Sequence, residues 1–316
     1  MPTVRPPAVA GMFYPAEPRQ LAHDVQQLLA GAHAHDLVPN GQARFPLPNA
    51  LPVPPIQLSP AGGRKGEREG QSSIPAGEGA NESLREFRIK ALIVPHAGYI
   101  YSGAIAATAY ATLLPIAAPI RRVVLLGPAH RVAVRGLALP GADAFDTPLG
   151  RVMLDTAAAS AIAHLPQVSV SAHAHALEHS LEVQLPFLQS VLTDFTLLPL
   201  AVGMASAEEV AEVLETVWGG EETLIVISSD LSHFLPYSTA QQVDNVTVQS
   251  ILKLRQPIAH DQACGGTPIN GLIVAARKHH LTPHLLDLRN SGDTAGTRDQ
   301  VVGYASFAFT GEEVQP

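Results

Sequence analysis

Residues 89–98 read IKALIVPHAG. An apolar run of strand length stops at Pro95, and His96 stands where the chain turns. Two later stretches repeat the design. Residues 121–130 read RRVVLLGPAH and end on His130, and residues 223–233 read TLIVISSDLSH and carry Asp230 and His233. Short apolar runs without polar alternation are the mark of strands buried on both faces. Between and after them lie stretches of helical character, AIAATAYATLL, TAAASAIAHL and SAEEVAEVLETVW, the last with acidic residues in its first turn. The alternation predicts an α/β fold: a central, mostly parallel or mixed sheet flanked by helices in a single domain. The last two runs, PHLLDLRN and QVVGYASFAFT, are expected to close the sheet antiparallel.

Open α/β sheets bind ligands beyond the carboxyl ends of their strands. A single histidine after a strand is more often a cap or a surface residue than a ligand. Three in the same topological place, His96, His130 and His233, point to one rim and one site, provided their strands are parallel neighbours. The prolines and glycines beside them allow the tight turns that aim imidazoles.

Two further stretches qualify. EHSLEVQLP, residues 178–186, falls in a helix expected from about Leu177 to Leu192. On a helix His179 and Glu182 share a face, as a metal pair, a clamp on a ligand, or a solvated edge. The spacing is not H-E-x-x-H, so a zinc-protease reading does not apply. His173 and His175 read as loop residues. In ACGGTPING, residues 263–271, Thr267 and Pro268 suit the N-cap and N1 of a helix. A thiol there, Cys264, would have its thiolate favoured; the alternative is a buried structural cysteine.

The 316 residues carry a formal net charge of -8 and no basic block interleaved with aromatics, which argues against nucleic acid. The single cysteine excludes an intrachain disulfide. No leader pattern opens the chain and no apolar run approaches the ~18 residues of a membrane span, so no membrane association and a cytoplasmic location are expected. Fourteen histidines keep metal and proton chemistry in view. Residues 39–83 are rich in Pro, Gly, Ser and mixed charge and read as a weakly ordered insertion within the one domain; the LPVPP piece could dock on a proline-binding module, though a plain surface loop is the simpler reading.

Taken in order, VRPPAVAGMFYP, ALIVPHAGYIYSG, VVLLGPAHR, LEHSLEVQLPF, TLLPLAVG, VISSDLSHF and CGGTPINGL resemble the Memo-like family, also called AmmeMemoRadiSam system protein B. The resemblance implies a fold like that of class III extradiol dioxygenases of the protocatechuate 4,5-dioxygenase type. It implies metal ligands at His96, His130 and Cys264, and a pocket histidine and aspartate at His233 and Asp230. His179 and Glu182 fall on a helix bordering that pocket, which would also hold Tyr99 and Tyr101. Some family members carry a histidine where this chain has Gln184, so no ligand is assigned there. Dioxygenase iron is held by two histidines and a carboxylate. A thiolate in the third place is softer and itself oxidisable, so the shared scaffold does not carry the reaction across.

The expected function is a mononuclear iron or copper site (zinc is a third option, and no organic cofactor is expected) with redox or oxygenase activity on a small-molecule ligand. His233 would move protons and Asp230 would orient a neighbour. The competing reading is a non-catalytic peptide-binding or metal-handling component working with a radical-SAM protein and a second small protein, the association recorded in the family's name. A metal-dependent hydrolase is a weaker third.

Overall fold

A computed structural model describes residues 3–34 and 87–312. The Pro- and Gly-rich insertion at 39–83 lies outside the described residues. The chain runs β1 (Val4–Arg5), α1 (Pro18–Ala34), β2 (Phe87–Val94), α2 (Ala104–Ala111), β3 (Arg122–Pro128), β4 (Leu137–Leu139), β5 (Ala144–Thr147) and β6 (Gly150–Met153). It continues through α3 (Thr156–Ile162), β7 (Val168–Val170), α4 (Ala172–Ala176), α5 (Leu185–Val191), β8 (Thr196–Val202), α6 (Ala207–Thr216) and β9 (Thr223–Ser228). It ends with β10 (His233–Leu235), α7 (Tyr237–Leu252), α8 (Gly266–Lys278), β11 (Thr282–Asn290) and β12 (Val301–Glu312).

Nine strands form one sheet in the order β10-β12-β2-β9-β3-β8-β4-β7, with β11 paired to the far side of β12. The centre, β2-β9-β3-β8, is parallel, while β12 joins β2 antiparallel and β11 joins β12 antiparallel. This is the mixed α/β architecture that the apolar runs predict. A small second sheet, β1-β5-β6, ties down the N-terminus.

Side chains along each central strand alternate between two cores. Leu92, Val123, Leu125, Leu224 and Val226 join Leu21, Val25, Leu29 of α1, Tyr110 of α2 and Phe187 of α5. Ile93, Val124, Leu126, Ile225 and Ile227 join Val210 and Leu214 of α6 and Leu272 of α8 on the opposite face. Helices on both faces explain why these strands read as unbroken apolar runs. Helix α6 starts on a capping box, with Ser206 accepting from the Glu209 N–H while Glu209 accepts from the Ser206 N–H. It packs on α8 at Gly271, where a Cβ would come within 2.2 Å of Val210.

The stretch Tyr99–Ile116 is long and apolar enough to cross a membrane by length and composition, contrary to the reading of the sequence. It packs into the core instead, with Ile105, Ala107, Ala109 and Tyr110 at zero exposure.

The three histidine-bearing strands are immediate neighbours and end together. Val94 of β2 pairs with Ser228 of β9, and Leu126 of β3 pairs with Ile227 of β9. His96, His130 and His233 therefore leave the sheet along one rim.

Candidate metal centre

At that rim the side chains of His96, His130 and His179 each offer a ligand atom within 4.8 Å of the other two. The rings of His130 and His179 stack at 4.7 Å, and His96 stands edge-on to both, 5.1 and 5.4 Å away. His96 is 2% exposed. Burial, then the neighbouring histidines, hold its pKa well below that of free imidazole, and burial takes His179 down to about 4. Both are neutral near pH 7, the form that ligates metal.

Glu178 fixes His130. Its carboxylate accepts the backbone N–H of His130 at 2.6 Å and pairs with Nδ1 at 2.9 Å. The Ser180 N–H donates to it as well, and His179 Nδ1 lies 3.4 Å away. Burial alone would raise the pKa of Glu178. The His130 hydrogen bond and charge and the two backbone N–H groups outweigh burial and bring it to about 2. An ionised carboxylate only accepts, so Nδ1 of His130 carries a hydrogen and Nε2 is the nitrogen left for a ligand bond.

The stretch around His179 departs from the sequence reading. Residues 177–181 are not helical; a 3-10 turn spans Glu182–Gln184 and α5 begins at Leu185. Freed from a helix, His179 and Glu182 face different partners. His179 turns into the histidine cluster, with Phe13 packed on its ring at 4.7 Å. Glu182 turns to the N-terminal segment. It pairs with Arg5 at 2.7 Å and accepts the N–H groups of Ala8 and Val9 and the hydroxyl of Tyr14. The loop packs closely on β3 because a Cβ at Gly127 would sit 2.7 Å from Ser180 Oγ. His173 and His175, expected in a loop, lie in α4, where buried His175 bonds the Ala138 carbonyl through Nε2.

Cys264 Sγ lies 3.3 Å from His96 Nε2 and 3.7 Å from the Asp230 carbonyl. Helix α8 starts two residues early, at Gly266 with Gly265 as its N-cap, and Thr267 makes no cap. The expected thiolate bias is also reversed. Burial first, then Asp230, pushes the Cys264 thiol up to about 12.

Asp230 is 4% exposed and accepts the His96 backbone N–H at 2.7 Å through Oδ1, with Oδ2 4.0 Å from His96 Nε2. Burial raises its pKa to about 7. His233 opens β10, half-buried and near enough to His130 for that ring's charge to act on it. Phe234 after it holds φ 56°, a left-handed conformation rare for an aromatic residue, and is 67% exposed. Tyr99 is partly buried and packs against the core. Its hydroxyl donates to the Val183 carbonyl and its ring lies 5.7 Å from Tyr14 and 4.9 Å from Phe187. Tyr101 is partly buried beside Gly98. Glu178 is the participant that sequence reasoning missed. The one available signal was a carboxylate directly preceding a candidate histidine, and only folding shows that it serves a different one, His130.

The Memo-like protein family model matches residues 71–308. A MEMO1 family protein of Sulfolobus acidocaldarius is 32% identical, covering 97% of this chain and 99% of its own. One from Aquifex aeolicus is 36% identical over 72% of this chain and 88% of its own. Another from Methanosarcina barkeri is 31% identical over 96% and 99%. Among solved structures, an uncharacterized protein from Escherichia coli K12 is similar at TM-score 0.47 and 14% identity, covering 70% of this chain and 99% of that one. With relatives aligned from end to end and the family model spanning all three histidine-bearing strands, the chain belongs to the Memo-like family.

Proposed function

We propose that this chain holds a single redox-active iron or copper ion at the sheet rim and uses it in an oxidative reaction on a small-molecule ligand. The observation that carries the reading is the convergence of three imidazoles from three separate segments, with the Cys264 thiol against one of them, His96. Metal–nitrogen bonds of ~2.0–2.1 Å and a metal–sulfur bond of ~2.3 Å place two ligand atoms about 3.1–3.6 Å apart at angles of 90–109°. The 3.3 Å between His96 Nε2 and Cys264 Sγ fits that span. His96, His130 and Cys264 would hold the ion, and His179 offers a fourth donor from the same cluster. A thiolate among imidazoles suits copper and iron, with zinc the redox-silent alternative. Such an ion, when bound, would supply electron exchange. The protein's own part is to exchange a proton at His233, whose lowered pKa keeps it a neutral base, and to hold His96 through Asp230.

Elemental analysis of protein purified without oxygen tests the site. One equivalent of metal is expected, lost in His96→Ala and strongly reduced in Cys264→Ala. Metal content unchanged in both variants removes the centre. Oxygen consumption with a panel of catechols then tests the reaction.

One observation favours a second reading, a non-catalytic component acting with a radical-SAM protein and a second small protein. Met12, Ile100, Leu177 and Phe234 are large exposed hydrophobic residues within four positions of Phe13, His96, Glu178 and His233. Apolar side chains collected near a site suit a partner surface. Co-purification from the native host that recovers neither component counts against it.

A further inference from the structure

Behind His96, on the side away from the other histidines, runs a buried chain of hydrogen bonds. Gln184 is fully buried. Its Oε1 accepts the Tyr110 hydroxyl at 3.0 Å, and its Nε2 donates to the Pro95 carbonyl at 2.9 Å and to Ser228 Oγ at 2.8 Å. The amide has one workable orientation. Reversed, it would set Oε1 against the Pro95 carbonyl, acceptor against acceptor. Ser228, also fully buried, donates its one hydroxyl hydrogen to the Ser180 carbonyl at 2.6 Å. With that hydrogen committed and Gln184 donating to one lone pair, Ser228 Oγ can only accept from His96 Nδ1, 2.9 Å away. Nδ1 must therefore carry the imidazole hydrogen, and Nε2 faces Cys264 with its lone pair free.

We infer that Gln184 is the positioning residue of this centre: acting through Ser228, it holds His96 in the single tautomer whose Nε2 is free to bind. Gln184 touches neither the histidine cluster's ligand atoms nor any ligand. It acts by holding Ser228 Oγ, through its 2.8 Å donation, in the position from which the hydroxyl reaches the Ser180 carbonyl. Without the amide the Ser228 side chain can rotate off that carbonyl and donate to Nδ1 instead, and His96 then carries its hydrogen on Nε2, where it blocks ligation. The hydrogen count closes at every atom from Tyr110 to His96, which makes the network a specific constraint rather than a set of interchangeable contacts. A partner of this kind behind a metal-binding imidazole is worth 10–100-fold in metal affinity.

The inference concerns the metal-free protein first and relies on the proposed metal centre only for its second readout. Long-range nitrogen–proton NMR on metal-free protein with labelled histidine reads the tautomer directly. The expected result is one His96 species, protonated at Nδ1. A species protonated at Nε2 overturns the assignment. The Gln184→Met variant, similar in length and without a donor, is expected to show both tautomers and to bind Zn2+ 10–100-fold more weakly in chelator competition. Tyr110→Phe keeps the ring stacked on Phe187 at 5.1 Å and frees the amide to turn. It is expected to move both readouts the same way by a smaller factor, and it serves if Gln184→Met does not fold. A single unchanged tautomer with unchanged Zn2+ affinity in the folded variants sinks the role of Gln184. No Zn2+ binding by the unsubstituted protein, with the expected tautomer in place, defeats the metal centre and leaves the positioning role standing.

Discussion

His96 Nε2 and Cys264 Sγ stand 3.3 Å apart although 168 positions separate them in the chain. In the metal-free protein the thiol is protonated, because burial and Asp230 push its pKa up to about 12, with the His96 imidazole and the Asp230 carbonyl both in reach of its one hydrogen. An ion that takes both atoms must expel that proton. The two histidines with strongly depressed pKa values, His96 and His179, are already neutral at pH 7 and release none. Metal affinity is therefore expected to rise about tenfold per pH unit between pH 7 and 9, the signature of one released proton. Cys264→Ser should flatten that slope while leaving weaker binding by the histidines. A pH-independent affinity in the unsubstituted protein contradicts Cys264 as a ligand.

Glu178 gives a second prediction. Its carboxylate gathers two backbone N–H groups and the His130 imidazole. Glu178→Gln keeps the shape but turns one acceptor into a donor facing other donors. A stability loss of about 1–3 kcal/mol is expected from the mispaired buried groups, together with a 10–100-fold loss of metal affinity as His130 loses its orientation. Urea unfolding and metal competition read the two effects separately. Loss of stability with metal affinity intact assigns Glu178 to the fold alone.

Much of this was legible in the sequence, for definite reasons. The runs 91–94, 123–126 and 224–227 are apolar at every position because helices cover both faces of the sheet, so strand identity and parallel order could be read together. Histidines at their ends mark the rim because parallel strands in register end together. The geometry of residues 177–182 was not legible. Helical spacing says that His179 and Glu182 would share a face if the chain were helical there; it does not say whether it is. The decision falls to Arg5, Ala8, Val9 and Tyr14, about 170 positions upstream, which capture Glu182. The role of Glu178 has the same character. Its bond to His130 exists only because the 178–180 loop is laid across the end of β3.

That capture makes a third prediction. Glu182 is at zero exposure and is the shared acceptor for the whole 5–14 segment, which places Phe13 on His179. Glu182→Ala strands Arg5, 6% exposed, as an unpaired buried charge, a change that costs about 3–5 kcal/mol. The N-terminal segment is expected to detach, with loss of hydrogen-exchange protection at Val9 and faster proteolysis between Arg5 and Tyr14. Protection at residues 91–94 of β2 should survive. Uniform loss across the sheet instead means that the segment and the core unfold as one unit.

The buried histidines set how stability follows pH. His96, His175, His179, His233 and His284 all have pKa values lowered by burial, with His175 and His179 at about 4. The unfolded chain takes up their protons near pH 6.5 while the folded chain refuses them until lower pH. Between those values the unfolded state binds more protons, so stability rises with pH and falls on acidification. Asp230, raised to about 7, and Asp244, also raised by burial, work in the opposite sense over pH 4–7. Glu178, lowered to about 2, adds to the histidines' sense below about pH 5, and unfolding takes up roughly one to three protons on balance. Metal-free protein is therefore expected to lose ~1–4 kcal/mol of stability per pH unit between pH 6.5 and 4.5. Urea unfolding across that range measures the slope. His175→Asn removes one titrating group that is not itself a proposed ligand and should make the slope shallower by about one proton. A slope of zero or of opposite sign means that the imidazoles are charged in the folded protein, which would also deny them to a metal.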